Sequence, residues 1–248
     1  KNEECNIEEC LRSVHWVTER LVIDAESDDR TVELARAAGA AVHVRPWPGF
    51  GPQKNVGIEL ARSEWILILD ADERVPTALQ EEILGCLNRW TPGSAAAYRI
   101  PRRNLFYGAW VRYGGVFPDY QIRLFRKGTA RYNDAAVHEN LIVDGEIGTL
   151  VHPLDHYTER RIKDHFRKFS QYTTLAAAEK SKTTCRVSAL DLLMRPLVVF
   201  LKTYGLKHGF RDGVRGLIVC TFASMYTFVK YAKLWDANRR GIVLEGFR

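Results

Sequence analysis

Apolar positions along this chain keep two rhythms: short runs between amphipathic stretches up to about Thr158, and helical steps from Arg160 onward. Ile7, Cys10, Leu11 and Val14 recur every three or four residues and predict a helix within 2–15. Residues 20–24 read as a short strand ending in Asp24. Ser27, Asp28 and Asp29 supply cap residues for a helix through Ala38, Gly39 ends it, and 40–44 reads as the next strand. This β-α-β rhythm predicts a parallel sheet. A Pro/Gly loop over 46–55 feeds a helix at 53–61, which places Gln53, Lys54 and Asn55 in its first turn. Trp65 to Leu69 is a continuous apolar run ended by Asp70-Ala71-Asp72-Glu73, the pattern of a strand buried on both faces. Pro76 starts a helix over 77–90. Strands are predicted at 95–101, 121–125 and 136–143, and 155–157 closes this head. Residues 102–117, aromatic and glycine-containing, fit neither period and read as an irregular loop.

In the tail, Ile162, Phe166, Phe169, Tyr172 and Leu175 mark one apolar helix face. Residues 190–204 carry LLMRPLVVFL, with Pro196 as a kink or a helix start. Residues 214–235 approach the length of a membrane span but contain Lys230 and Lys233, so an amphipathic pair lying in the membrane interface fits better than a span. The alternative is that these helices pack on the head. Two domains are expected, 1–158 and 159–248.

Charge sharpens that division. After Thr158 there are 18 basic and 7 acidic residues, whereas the remainder has 18 and 23. A basic tail on an acidic head suits an anionic surface, and its apolar runs favour membrane over nucleic acid. Apolar content of 46% with 27% charged excludes a disordered chain. Five cysteines without paired spacing predict free thiols in a reducing compartment, and Cys5 and Cys10 lack the companions that zinc needs. The opening KNEECNIEEC has no apolar signal region, so secretion is not expected.

Candidate chemistry centres on Asp70 and Asp72. Ligands of open α/β sheets bind beyond the carboxyl ends of the strands. Hard oxygen donors there suit Mg²⁺ or Mn²⁺ shared with substrate phosphates. The alternative is an ordinary acidic turn with Glu73 as a helix N-terminal charge. Lys54, at an expected helix start, is a candidate for pairing with phosphate. Arg99, Arg102, Arg103, Arg123 and Arg126 are further candidates, because guanidinium forks match phosphate oxygens. Tyr107, Trp110 and Tyr113 are candidates for stacking on sugar faces, although core packing explains each equally well.

With these residues in place the chain resembles inverting family 2 glycosyltransferases of the GT-A fold, in the branch that includes lipopolysaccharide-core β-1,4-glucosyltransferases. The matching stretches are Asn2-Glu3-Glu4, Val22-Ile23-Asp24 with Ser27-Asp28-Asp29-Arg30-Thr31, Gly49-Phe50-Gly51 with Gln53-Lys54-Asn55, and Asp70-Ala71-Asp72-Glu73. Pro118-Asp119-Tyr120-Gln121, Arg123-Leu124-Phe125-Arg126, Val137-His138-Glu139, Phe210-Arg211-Asp212-Gly213 and Tyr231-Ala232-Lys233-Leu234-Trp235 continue it. Two departures stand out. The family's usual apolar strand before Asn-Glu-Glu is not in this sequence, so the first strand is expected to be missing and part of the nucleotide pocket open. Ala25-Glu26 replaces the family's usual small residues.

The resemblance implies an α/β, Rossmann-like, mostly parallel sheet flanked by helices, with a C-terminal helical extension that associates with a membrane. It implies Asp72 as metal ligand and Asp70 on the ribose or acting through water. Asp24 would meet the base edge, with Glu4 on the ribose side and Asp29 in the same nucleotide-binding set. Inversion requires one general base and no covalent intermediate. Glu139 is the first candidate and Asp119 the second, with His138 beside the metal rather than on it. The expected activity is transfer from a UDP- or other nucleotide-activated sugar to a lipid-linked or core-oligosaccharide acceptor. The expected setting is the cytoplasm, peripheral on the inner face of the cytoplasmic membrane, with no nucleic-acid partner. A D-x-D phosphatase of the haloacid-dehalogenase type, with Asp70 as nucleophile, and a non-catalytic nucleotide-binding module are the alternatives.

Overall fold

A βα rhythm opens the chain, as the apolar pattern predicts. The computed structural model describes residues 1–133, 140–159, 162–183 and 186–242. Helix α1 (Ile7–Ser13) is followed by β1 (Leu21–Asp24), α2 (Thr31–Ala37) and β2 (Ala41–Val44). β1 and β2 pair parallel, Leu21 opposite Ala41 and Asp24 opposite Val44. Gly39, at φ 79°, makes the left-handed turn that ends α2. Helix α3 spans Phe50–Leu60, three residues earlier than expected. Lys54 therefore lies in its second turn, and the expected anion site of a helix N-terminus does not form there. Pro52 is compatible with the earlier start, since a proline in the first turn loses no helical hydrogen bond.

Strand β3 (Trp65–Leu67) is the predicted central run, and β4 (Glu73–Arg74) and α4 (Thr77–Asn88) follow it. Next come β5 (Ala97–Phe106), β6 (Ala109–Trp110), β7 (Asp119–Arg126), β8 (Ala130–Tyr132), β9 (Leu141–Val143), β10 (Ile147–Thr149) and β11 (Leu154–Glu159). The main sheet runs β3-β7-β5-β11-β4, with β10 and β6 also paired to β5. It is mixed rather than mostly parallel. β10 pairs with β5 parallel, whereas β7 runs antiparallel to both β3 and β5.

The sheet's two faces are read off single strands. Leu124 packs with Leu79 and Ile83 of α4, Ile100, Leu150 and Leu154. Its neighbour Phe125 points the other way, to Ile58 of α3, Ile66 and Tyr132. Period-two alternation requires this, and it explains why the central run is apolar throughout. Phe125, Leu79 and Ile100 are fully buried, each worth about 1.5–3 kcal/mol relative to exposure. Ile7, Leu11, Ala35 and Ala40 form a smaller core under α1 and α2.

The chain groups into two compact units, Lys1–Arg103 with Asp119–His156, and Asn104–Pro118 with Tyr157–Arg248. The aromatic stretch expected as an irregular loop of the head thus belongs mostly to the helical unit, and it is partly regular. Tyr107 (φ 51°) and Gly108 (φ 79°) form a two-residue reversal that pairs Leu105 with Trp110. Two successive positive φ values are what such hairpins require, although Tyr-Gly is not their usual signal.

The second unit holds α5 (Ile162–Ser181), α6 (Ala189–Phe200) and α7 (Gly213–Arg240). Ser188 and Asp191 form a reciprocal capping box at the start of α6. Pro196 lies inside α6, and its carbonyl accepts from Ser224 Oγ of α7 at 2.8 Å. A wide turn over Leu201–Leu206 and a 3₁₀ turn over Gly209–Asp212 lead into α7. Among the described residues no helix is long and apolar enough to cross a membrane.

Candidate functional site

The turn closing the central strand is fixed from below. Glu73 N–H donates to the Asp70 carbonyl at 2.9 Å, and Asp70 N–H donates to Glu73 Oε2 at 2.9 Å. Buried Arg74 donates to the carbonyls of Ala71 and Asn6, both at 2.8 Å, tying the turn to the start of α1. Glu73 is therefore neither a surface charge nor a helix cap. It is a carboxylate with no exposed surface.

Around it stands an ion network, buried at Glu73 and Arg123 and open to solvent at Asp70. Arg123 of β7 donates to Asp70 Oδ2 at 2.6 Å and to Glu73 Oε1 at 2.5 Å. Lys54 Nζ lies 3.3 Å from Asp70 Oδ1, and Arg102 Nη1 lies 3.5 Å from Glu73 Oε1. Burial alone would raise the Asp70 carboxyl, but the charges of Arg123 and Lys54 outweigh it and hold it well below the usual range. Burial pushes Glu73 upward; Arg123 pulls it down and Asp70 raises it again, for a net rise. Burial would lower the Arg123 guanidinium, yet Asp70 and Glu73 hold it well above its ordinary value. Both Asp70 oxygens face cations, so this side chain is not set up as a nucleophile.

The network opens into a cavity of about 430 Å³ within the first unit, lined by Lys54, Asp70, Arg102, Gln121, Arg123 and Tyr132 among others. Lys54 also sits 5.2 Å over the Tyr132 ring. Asn55 clamps that strand, its amide donating to the Tyr132 carbonyl at 3.0 Å and accepting from Tyr132 N–H at 2.9 Å. The five-arginine cluster does not converge here. Arg99 donates to Thr149, Arg103 pairs with Asp155 and Arg126 with Glu64; only Arg102 and Arg123 line the cavity. Strand alternation separates Arg102 from Arg103.

Asp72 reaches a different partner, His156 of β11, whose Nε2 lies 3.6 Å from Asp72 Oδ2. One carboxylate and one imidazole are two donors of a kind Mn²⁺ accepts, whereas Mg²⁺ takes oxygen donors. Among the described residues there is no group of three or more His, Cys, Asp or Glu side chains that could hold a metal ion. Asp70, committed to its cations, is not part of that set. His156 was missed in the sequence because nothing in its spacing links it to Asp72; β11 and β4 pair His156 with Glu73.

The remaining sequence candidates fall elsewhere. Asp24 is buried and accepts from Ser27 N–H at 2.7 Å and Ser27 Oγ at 2.6 Å. Asp29 accepts from Thr31 N–H and from Glu4 N–H, while Glu4 Oε2 accepts from Arg30 N–H. Burial would raise the Asp29 carboxyl, but the Thr31 hydroxyl and backbone donors bring it below its ordinary value. These three acids shape the loop 27–31 and clasp the opening residues to it. Asp119 Oδ2 accepts from Arg102 Nε at 2.9 Å and from Nη2, and its Oδ1 accepts from Gln121 at 2.9 Å. A carboxylate held that way orients Arg102 and is poorly placed as a general base. Trp110 belongs to the second unit, where it stacks edge-on against Phe117 at 5.2 Å and carries the Arg112 guanidinium 4.1 Å over its ring. His138 and Glu139 lie outside the described residues.

Known proteins resemble this chain over most of its length. Residues 1–138 match the model of glycosyl transferase family 2. Lipopolysaccharide core biosynthesis glycosyltransferase LpsC of Rhizobium meliloti is 28% identical over 96% of this chain and 90% of its own. An uncharacterized glycosyltransferase of Rickettsia prowazekii is 27% identical over 96% of this chain and 85% of its own. Among solved structures, S. aureus TarS 1–349 in complex with UDP-GlcNAc is similar at 13% identity and a TM-score of 0.47, over 97% of this chain and 90% of that one. The chain belongs to glycosyl transferase family 2.

Proposed function

We propose that this family 2 transferase moves a sugar, with inversion, from a nucleotide-activated donor such as a UDP-sugar to a lipid-linked or lipopolysaccharide-core saccharide at a membrane surface. One observation carries the reading: the central strand delivers Asp70 into a polar cavity walled by Lys54, Arg102 and Arg123. Such cations suit the oxygens of a diphosphate leaving group. Similarity to LpsC supports the acceptor class. The basic tail supports a peripheral place on the cytoplasmic face of the membrane.

Asp72 and His156 would hold the divalent cation. When bound, it supplies Lewis-acid stabilisation of the charge left on the departing diphosphate. Lys54 and Arg102 bind the donor's phosphates, and Asp119 holds Arg102 in the orientation to do so. Asp70, kept ionised by Arg123 and Lys54, takes the ribose. Glu4, Asp24 and Asp29 shape the loop on which base and ribose rest. Glu139 takes the proton of the acceptor hydroxyl as that oxygen attacks the anomeric carbon opposite the leaving group. The C–O bond to the diphosphate breaks as the new glycosidic bond forms.

The test is release of nucleoside diphosphate from a panel of sugar nucleotides, with a bacterial lipid extract as acceptor and with Mn²⁺ or chelator. Asp72→Asn is expected to abolish metal-stimulated release. Full activity in that variant, or equal activity with chelator, would overturn the metal assignment; no release from any donor would overturn the transferase reading.

A further inference from the structure

Helix α6 hides one side and displays another of unusual composition. Pro196 is buried and Leu192 packs beside the small core of Ala177, Tyr231 and Leu234. Opposite them, Leu190, Leu193, Met194, Leu197, Val198 and Leu201 recur at steps of three and four, which places them on one face. All six are exposed: Leu190 and Leu193 at 66%, Val198 at 59% and Leu201 at 56%. Leu206, at 78%, extends the apolar surface past the helix end. Single exposed leucines are ordinary, but a contiguous apolar stripe of this kind marks an interaction surface.

The surrounding charge says what covers it. Between residues 186 and 217 the exposed side chains include Arg186, Arg195, Lys202, Lys207, Arg211 and Arg215, against only Asp191 and Asp212. Both acids are spent locally. Asp191 caps α6 and accepts from Arg195 Nε at 2.8 Å, and Asp212 accepts from the backbone N–H groups of Arg112 and Tyr113. A second copy laid stripe to stripe would bring these cations together, a costly juxtaposition. An anionic bilayer offers the complement of both features, hydrocarbon for the leucines and phosphate for the cations.

We infer that this face of α6 is a membrane-docking surface, lying in the plane of an anionic lipid leaflet with its leucines in the headgroup–acyl boundary. The inference deepens the reading of a transferase with a lipid-borne acceptor and names the residues that would bring it there. Docking on a two-dimensional surface raises the effective concentration of such an acceptor without adding contacts at the site.

The experiment is sedimentation of the full chain with phosphatidylcholine vesicles, with and without phosphatidylglycerol. Binding is expected only to the anionic vesicles and is expected to weaken with salt. Leu193→Gln with Leu197→Gln should lower the partition coefficient about tenfold or more. Lys202→Gln with Arg215→Gln should lower it independently and flatten the salt dependence. All four positions are exposed, and far-UV circular dichroism checks that both variants fold. The inference is overturned by absent or charge-independent vesicle binding, by unchanged binding of the leucine variant, or by a solution dimer that the leucine variant makes monomeric. Nucleoside diphosphate release in detergent separates the two readings. Vesicle binding without turnover would leave docking standing and sink the transferase; turnover without vesicle binding would do the reverse.

Discussion

Replacing Arg123 by Met removes one buried charge and leaves another behind. Arg123 has 5% side-chain exposure, Glu73 has none, and their atoms meet at 2.5 Å. In the variant, Glu73 keeps only Arg102 at 3.5 Å and the Asp70 N–H at 2.9 Å among the contacts described above. Breaking a buried pair from one side costs about 3–5 kcal/mol, because the surviving ion has lost its solvation and its partner. For a chain of this size that lowers the melting temperature on the order of 6–20 °C. The pH dependence has a definite sign. Glu73 already holds its proton more tightly folded than at its ordinary value of 4.5. Losing Arg123 raises that affinity further, so the folded variant binds a proton that the unfolded chain releases. Its stability should therefore fall as pH rises through the folded value, and its deficit should shrink as pH falls towards about 4.5. With Arg123 in place Asp70 shifts in the opposite direction, a contribution lost only as pH falls below its ordinary value of 3.8; the variant keeps only the part that Lys54 supplies. Urea unfolding of Arg123→Met, Glu73→Gln and the double variant closes the cycle. The double variant should be more stable than Arg123→Met alone. A loss below about 1 kcal/mol in Arg123→Met, the scale of an exposed pair, or strict additivity in the double variant, would refute the buried-network account.

Three further outcomes follow from the proposed roles and from side-chain exposure. Glu139→Gln should lower kcat about 10²–10⁴-fold, whereas Asp119→Asn should act mainly through donor KM because it frees Arg102; steady-state kinetics with both substrates separate them, and a larger kcat loss in Asp119→Asn would reverse the roles. His156→Ala should weaken Mn²⁺ binding, read by electron paramagnetic resonance, about tenfold or more, and unchanged binding would remove His156 from the donor set. Cys5 is exposed, while burial pushes the Cys10 thiol up to about 12, so iodoacetamide at pH 8 should label Cys5 before Cys10 by peptide mass spectrometry.

Local pattern by itself fixed several elements of the first unit: the helix at Ile7–Ser13, the β-α-β start, the helix after Pro76 and the strand leading into Asp70 all form near their expected bounds. An apolar run with no alternation suits a strand covered on both sides, and Leu124 and Phe125 on adjoining β7 show both covers. The same pattern could not set strand direction. Periodicity records which face a side chain takes, not which neighbour the strand finds, so the sheet came out mixed. Nor could it separate the five arginines, whose fates depend on pleat and partner. Arg123 becomes the buried anchor of Asp70, and Arg126, three residues on, ends at Glu64. Glu73 looked like part of an acidic turn because burial is invisible in a charged letter; only pairing of β4 with β11 and the reach of Arg123 from β7 make it a buried ion. Asp72 and His156 lie 84 positions apart in the chain and 3.6 Å apart in space. Chemistry that depends on distances between remote residues is decided when the strands pair, and no local pattern can carry it.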